Sequence, residues 1–143
     1  MFSKSCEYGI RATLFIAQKS VDEQKVGIDL ICDNIEAPRH FTAKVMQILT
    51  GADIVSSKKG VNGGFYMTQE QKNASIISIV NAIDGNEIFT RCAIGLKSCS
   101  ENKPCPIHCG FKAFREELKT MLTNATIIEM VEKLEDGSSF LKL

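Results

Sequence analysis

Apolar residues recur at helical spacing along most of the chain, interrupted by one short alternating stretch and by one stretch with neither period. From Cys6 to about Ser20, Tyr8, Ile10, Leu14, Phe15 and Ile16, with Ala12 and Ala17, make a broad apolar face. That face predicts a first helix, capped by Ser3 or Ser5. The polar run Val21 to Lys25 ends the pattern. A short second helix is expected from Ile28 to about Asn34, with Ile28, Leu30 and Ile31 inward. Ile35-Glu-Ala-Pro38 then reads as a turn whose proline sits where helices often begin. A third helix should run to about Thr50, with Phe41, Val45, Ile48 and Leu49 at helical spacing and Gly51 marking its end. Two short helices joined by a tight turn, behind a longer support helix, make a helix-turn-helix pattern.

The period changes after Ala52. Ile54 to Lys58 and Phe65 to Thr68 read as two short strands around a tip rich in Gly and Asn, which predicts a β-hairpin. A basic-tipped hairpin straight after a helix-turn-helix is a wing. Ser75 is placed to cap a fourth helix, Ile76 to Ile83, ending at Asp84-Gly85. Further on, Phe111, Phe114, Leu118, Met121 and Ala125 follow steps of three and four, a heptad seam about two heptads long. Such a stripe serves either as an internal core helix or as a dimer seam. Thr126 should cap a last helix, Ile127 to Leu134, and the tail Glu135-Asp-Gly-Ser-Ser139 is expected to fray.

Charge sharpens the winged-helix reading. Over the whole chain 17 basic and 17 acidic residues cancel, so no global field advertises a nucleic-acid partner. Between residues 38 and 60, however, Arg39, Lys44, Lys58 and Lys59 face only Asp53. The residues near the start of a recognition helix reach base edges in the major groove. Here those are Arg39, His40, Thr42, Ala43 and Lys44, while Lys58, Lys59 and the amides around Asn62-Gly63-Gly64 would meet phosphates or a minor groove. A helical domain with a merely solvated basic face is the competing reading.

The unpatterned stretch is the chemically distinctive one. Of 6 cysteines in the chain, Cys92, Cys99, Cys105 and Cys109 lie there with His108, on a segment too rich in Pro, Gly and Ser to be helix or strand. Cys6 and Cys32 fall within helical segments and read as small buried side chains. The N-terminus lacks the apolar core of a signal peptide, and no apolar run approaches the roughly 20 residues that span a bilayer. The expected location is therefore the cytoplasm, where clustered cysteines point to metal or redox chemistry. Cys105 and Cys109 offer only a loose version of the tight CxxC pair of a structural zinc site. Wider thiol spacing suits an iron–sulfur cluster, but zinc, a thiol redox switch and ordinary free cysteines remain open on spacing alone. A phosphate loop with its lysine, a nucleophile elbow and an HExxH motif do not occur, so catalysis is not expected.

Nearly end to end, the chain resembles the IscR/NsrR-type (Rrf-two) bacterial transcription regulators. The resemblance is carried by Tyr8-Gly-Ile-Arg11, the wing run Ile54 to Phe65, Ile79-Val-Asn-Ala-Ile-Asp-Gly85, the three-cysteine loop and Leu122-Thr-Asn-Ala-Thr-Ile127. It implies a mainly α fold with a small β-hairpin wing: a winged helix-turn-helix DNA-binding domain over residues 1–85, supported by a helix at 75–83, a cluster-binding loop over 86–109, and a dimerisation helix with a C-terminal helix over 110–143. It also implies a homodimer on a double-stranded DNA operator, most simply a repressor, whose affinity depends on a [2Fe–2S] or [4Fe–4S] cluster sensing iron, redox state or nitric oxide. Cluster-bearing members ligate iron through three loop cysteines, which match Cys92, Cys99 and Cys105. In IscR-type members the fourth ligand is a histidine separated by two residues from the third cysteine, a position that His108 matches. In NsrR-type members it is a first-helix acid of the other subunit, which Glu7 matches; Cys109 is a further candidate. His108 is the favoured fourth ligand, and an aerobic preparation is expected to lose the metal.

Two departures qualify that carry-over. The gap between the first two cysteines is one residue longer than in IscR-type members, and Ala43 stands where those carry a glutamate that helps choose operators, so their operator preference does not transfer. The rival expectations are a cluster-free repressor of the same fold responding through its thiols or a small ligand, and a zinc-stabilised protein-interaction module.

Overall fold

The computed structural model describes residues 1–142, and among these it shows eight α-helices and one two-stranded sheet. Helix α1 (Lys4–Lys19) starts where the Ser3 hydroxyl accepts the Cys6 amide at 3.1 Å, the side-chain cap that satisfies an otherwise orphan donor. It is the central strut. Ala12, Thr13, Leu14, Phe15, Ile16 and Ala17 are all buried, so nearly every direction around its middle is covered by another element. The Thr13 hydroxyl avoids a buried loose end by donating to the Gly9 carbonyl at 2.8 Å.

Helices α2 (Ile28–Ile35) and α3 (Arg39–Gly51) pack on α1 and on each other as the helix-turn-helix. Their turn depends on Glu36, which adopts the left-handed conformation that ends α2, and on Pro38 at the start of α3. The expected inward faces need correction. Ile31 and Ile35 are the buried residues of α2, whereas Leu30 is half in solvent. In α3 Thr42, Val45, Met46 and Leu49 point inward, and Phe41 and Ile48 are exposed. Helical spacing identified residues that share a side but not which of two apolar sides the core covers.

Strands β1 (Ser56–Lys58) and β2 (Gly64–Tyr66) are shorter than expected and pair antiparallel, Ser57 opposite Phe65. Val26 adds a third line to this small sheet by bridging to Phe65. A single-turn helix α4 (Gln69–Lys72) follows, closed by a reciprocal Thr68–Gln71 capping box. Gln71 also donates to the Asp53 carbonyl at 3.1 Å and to the Ser56 hydroxyl at 2.9 Å, fixing the foot of the wing.

Helix α5 (Ile76–Asp84) lies under α1 and α3, and a short helix α6 (Glu87–Thr90) leads into the cysteine loop. Helix α7 (His108–Asn124) packs on α5 and α6, and α8 (Ile127–Glu135) returns to α1. The beginnings of α5 and α8 are tied side by side: Ile76 donates to the Ala125 carbonyl and Ile127 to the Ala74 carbonyl, both at 2.9 Å. The Thr126 cap is realised as a full capping box with Glu129. The expected fraying of the tail is incorrect. Ser139 donates to the Lys133 carbonyl at 2.9 Å, Leu141 packs on the core, and Lys142 pairs with Glu36 at 3.4 Å. Apolar Leu141, three residues beyond a polar turn, supplies the burial that draws the tail back.

Candidate functional site

Two regions carry the candidate chemistry. The first is the surface made by α3 and the wing. Arg39, His40 and Lys44 stand exposed on the first turns of α3, and Lys58, Lys59 and Asn62 on the hairpin. A groove of about 410 Å³ runs between the two, lined by Ala43, Gln47, Thr50, Lys58 and Lys59. The guanidinium of Arg39 pairs with Asp29 of α2; both ends are exposed, so water and a phosphate can compete for that cation at little cost. The His40 and Phe41 rings lie 4.4 Å apart and present one mixed polar and apolar surface.

Thr42 is placed differently from the expectation. It is fully buried, and its hydroxyl donates to the Pro38 carbonyl at 3.1 Å, so it braces the turn and presents nothing to a base. The wing tip relies on its glycines. A Cβ on Gly63 would lie 2.2 Å from the Lys58 carbonyl oxygen, and Gly64 combines a φ of +144° with a backbone approach to Val26. These are positions that a side chain cannot occupy without moving backbone.

The second region is the loop from Arg91 to Ile107. It carries the candidate ligating groups Cys92, Cys99 and Cys105 and leads into His108 and Cys109. Cys92 is buried, and the amides of Ile94 and Leu96, followed by the Cys105 thiol and the Gly95 amide, hold its own thiol below the ordinary range against the effect of burial. Cys99 Sγ lies 3.3 Å from His108 Nδ1. His108 is nine-tenths buried as the first residue of α7, whose positive end suits an anionic sulfur ligand. Cys109, next along, is exposed. Glu7 stands on α1 paired with Lys4 at 2.9 Å, which keeps its carboxyl below the usual carboxylate range. Among the described residues no three of His, Cys, Asp and Glu gather closely enough to hold a metal ion. Cys99 and His108 are the two candidate ligands in direct contact.

Comparison with known proteins decides the family. Residues 2–133 match Rrf2, described as an iron-dependent transcriptional regulator. The chain belongs to the Rrf2 family. It is a DNA-binding transcriptional regulator and not an enzyme. A protein of Aquifex aeolicus (strain VF5), assigned as an HTH-type transcriptional regulator, is 26% identical over 92% of this chain and 91% of its own length. The HTH-type transcriptional regulator IscR of Klebsiella pneumoniae (strain 342) is 28% identical over 57% of this chain, and the match spans only 50% of that protein. Among solved structures, CymR, the global cysteine regulator of B. subtilis, superposes with a TM-score of 0.74 at 17% identity, over 92% of this chain and 96% of that one. The mainly helical winged fold expected from the sequence is thus the fold of this Rrf2 regulator.

One residue of the loop region had no signal in the sequence. Arg115, two turns after His108 on the same side of α7, is nine-tenths buried. It donates to Cys99 Sγ at 3.2 Å and to the Arg91 carbonyl, and its guanidinium lies 5.4 Å from the Phe111 ring centre. The seam expected on α7 is correspondingly split. Leu118 and Phe111 are half-buried, Leu122 is buried with His108 and Arg115 at seven-residue intervals, and Phe114 and Met121 face solvent. No helix among the described residues is long and apolar enough to cross a membrane.

Proposed function

We propose that this Rrf2 regulator is a cytoplasmic homodimer, most simply a repressor, whose affinity for a double-stranded operator is set by an iron–sulfur cluster held on the loop by Cys92, Cys99, Cys105 and His108. The observation that carries the reading is the approach of Cys99 Sγ to His108 Nδ1 at 3.3 Å, on the same loop as Cys92 and Cys105. Three soft sulfur donors and one imidazole fit iron–sulfur ligation, and a loop lacking regular structure between α6 and α7 is free to draw these groups together. The family's description as iron-dependent supports the same choice. When bound, the cluster supplies an iron–sulfur centre open to oxygen, nitric oxide or loss of iron.

The chain's own packing provides the route to DNA. Ordering the loop fixes the start of α7, α7 packs on α5, and α5 packs on α3. Exposed Phe114 and Met121 make the face on which a second copy would seat, holding two recognition helices at a fixed spacing. A coupling of about 1–3 kcal/mol between loop and reader would change operator affinity roughly 5- to 150-fold. On the DNA, Arg39, His40 and Lys44 would enter the major groove, and Lys58, Lys59, Asn62 and the Gly63 amide would contact the backbone.

A second reading is favoured by the free cysteines of the loop and by similarity to a cysteine regulator of B. subtilis: a cluster-free member responding by disulfide formation or to a small ligand. One preparation separates the two. After anaerobic purification and reconstitution, iron, acid-labile sulfide, zinc and the visible spectrum are measured, and operator binding is compared with and without the metal. Iron with equivalent sulfide and a change in DNA affinity is the expected result. Stoichiometric zinc without sulfide, or no metal uptake, overturns the cluster.

A further inference from the structure

We infer that Arg115 is a positioning residue for the cluster: a buried cation that fixes the Cys99 sulfur, offsets its negative charge and raises the reduction potential of the iron–sulfur centre. The inference rests on the cluster reading above and deepens it.

Burying a guanidinium is costly. Arginine cannot shed its proton in a protein, so a buried arginine normally has a carboxylate beside it. Arg115 is 7% exposed, and among the described residues no acidic group forms an ion pair with it. Its donors go instead to the Arg91 carbonyl and to Cys99 Sγ at 3.2 Å, while Nε is buried with no partner at all. The Phe111 face adds only a weak quadrupole attraction. A core position occupied this way is destabilising unless an anion arrives. The side-chain group that its Nη2 reaches is a sulfur, Cys99 Sγ, and through it whatever Cys99 ligates.

The neighbouring geometry points to the same sulfur. Cys99 Sγ is approached by both His108 Nδ1 at 3.3 Å and Arg115 Nη2 at 3.2 Å, and both residues come from one face of α7. The helix therefore presents a candidate ligand and a cation seven residues apart, with the loop cysteine between them. Hydrogen bonds and positive charge at a ligating sulfur favour the more negative, reduced state of an iron–sulfur centre, which raises its potential.

The test is a redox titration, followed by visible spectrum, of anaerobically reconstituted wild type, Arg115→Met, Arg115→Lys and Lys119→Met. Both Arg115 variants should titrate at more negative potential than wild type. Arg115→Lys should shift less, because it keeps the charge but loses the two-pronged donor. Lys119→Met removes a charge from the same helix at an exposed position and should leave the potential unchanged. If Arg115→Met does not fold, as judged by its far-ultraviolet spectrum and melting, Arg115→Lys alone reads the potential. A folded Arg115 variant that takes up less cluster also supports the inference, since the Cys99 sulfur is then unplaced. Equal potentials and spectra in wild type and a cluster-loaded Arg115 variant overturn it, as does an equal shift in Lys119→Met. Wild type that takes up no iron and sulfide overturns the underlying cluster reading instead, and this inference falls with it.

Discussion

Val26 and Phe65 exchange both backbone hydrogen bonds, at 2.7 and 2.8 Å, so the wing is fastened to the strand-like residue just before α2 as well as to its own hairpin. The DNA reader is therefore one unit. Motion at the foot of α2 is carried to Lys58 and Lys59 through backbone, without reliance on side-chain contacts. The fastening needs Gly64, because a Cβ there would lie 2.7 Å from the Val26 carbonyl oxygen at a φ of +144°. Gly64→Ala should cost about 1–3 kcal/mol, a melting temperature lower by several degrees. A thermal melt checks this, and an unchanged midpoint would show that the staple is not needed.

Lys59 and Thr42 should separate cleanly in DNA binding. Lys59 is exposed at the wing, so Lys59→Ala should weaken binding to all sequences alike and flatten the salt dependence by about one unit of slope. Thr42 is buried against Pro38, so Thr42→Val should change stability by about 1 kcal/mol and leave base preference unaltered. Binding isotherms at several salt concentrations decide both. A Thr42→Val protein with native stability and altered operator choice would return that residue to the interface.

Most of the DNA-reading half was legible in the sequence, because local signals there agree. Ser3, Pro38 and the glycine-rich hairpin tip each specify one local geometry, and the apolar period does the rest. What was not legible depends on partners that pattern cannot name. Phe41 and Ile48 sit at helical spacing with Val45 and Leu49, yet only the latter two meet the core. Arg115 carries no sequence signal, because nothing local distinguishes a buried arginine from the solvated ones that are far more common. The tail looked frayed because the burial of Leu141 depends on a groove formed by residues far earlier in the chain. In the loop, spacing singled out candidate ligating groups but could not show that Cys99 meets His108.

The capping box of α8 gives a pH-dependent prediction. The Thr126 amide and hydroxyl hold the Glu129 carboxyl below its ordinary value of 4.5, so the folded state binds the proton less readily than the unfolded chain. That stability is fully present above 4.5 and is lost as pH falls through the lowered folded value. Glu129→Gln keeps an acceptor but cannot titrate. The melting-temperature advantage of wild type over Glu129→Gln should therefore be largest near neutrality and shrink below pH 4.5. Thr126→Ala should cost about 1 kcal/mol at neutral pH. An advantage that does not vary with pH would remove the carboxylate from the cap.

His108 and Glu7 are the two main candidates for the fourth ligand of the proposed cluster. His108 is buried beside Cys99, whereas Glu7 is occupied by Lys4 on the same helix. In reconstituted protein, His108→Ala should change the visible spectrum and shorten the cluster's lifetime in air, and Glu7→Gln should do neither. The reverse outcome would transfer the role to Glu7 supplied by the other subunit. Loss of cluster only in Cys109→Ala would transfer it to the exposed cysteine.

Phe114 and Met121 lie two turns apart on the outer face of α7, 44% and 58% exposed, while the inner face of the same helix is covered by α5 and α6. Two large apolar groups left in water on the outer face of a helix are costly for a monomer and inexpensive for a symmetric pair, since a two-fold axis uses the same patch twice. A charge there would be buried without a partner at such a seam. Phe114→Glu with Met121→Glu should therefore convert a dimer into a species of 15.8 kDa without disturbing the far-ultraviolet spectrum. It should also weaken operator binding sharply, because one reader loses the second half-site. Light scattering on the eluting protein gives the mass directly. A wild type that is already monomeric, or a double variant that stays dimeric, would move the seam away from these two residues.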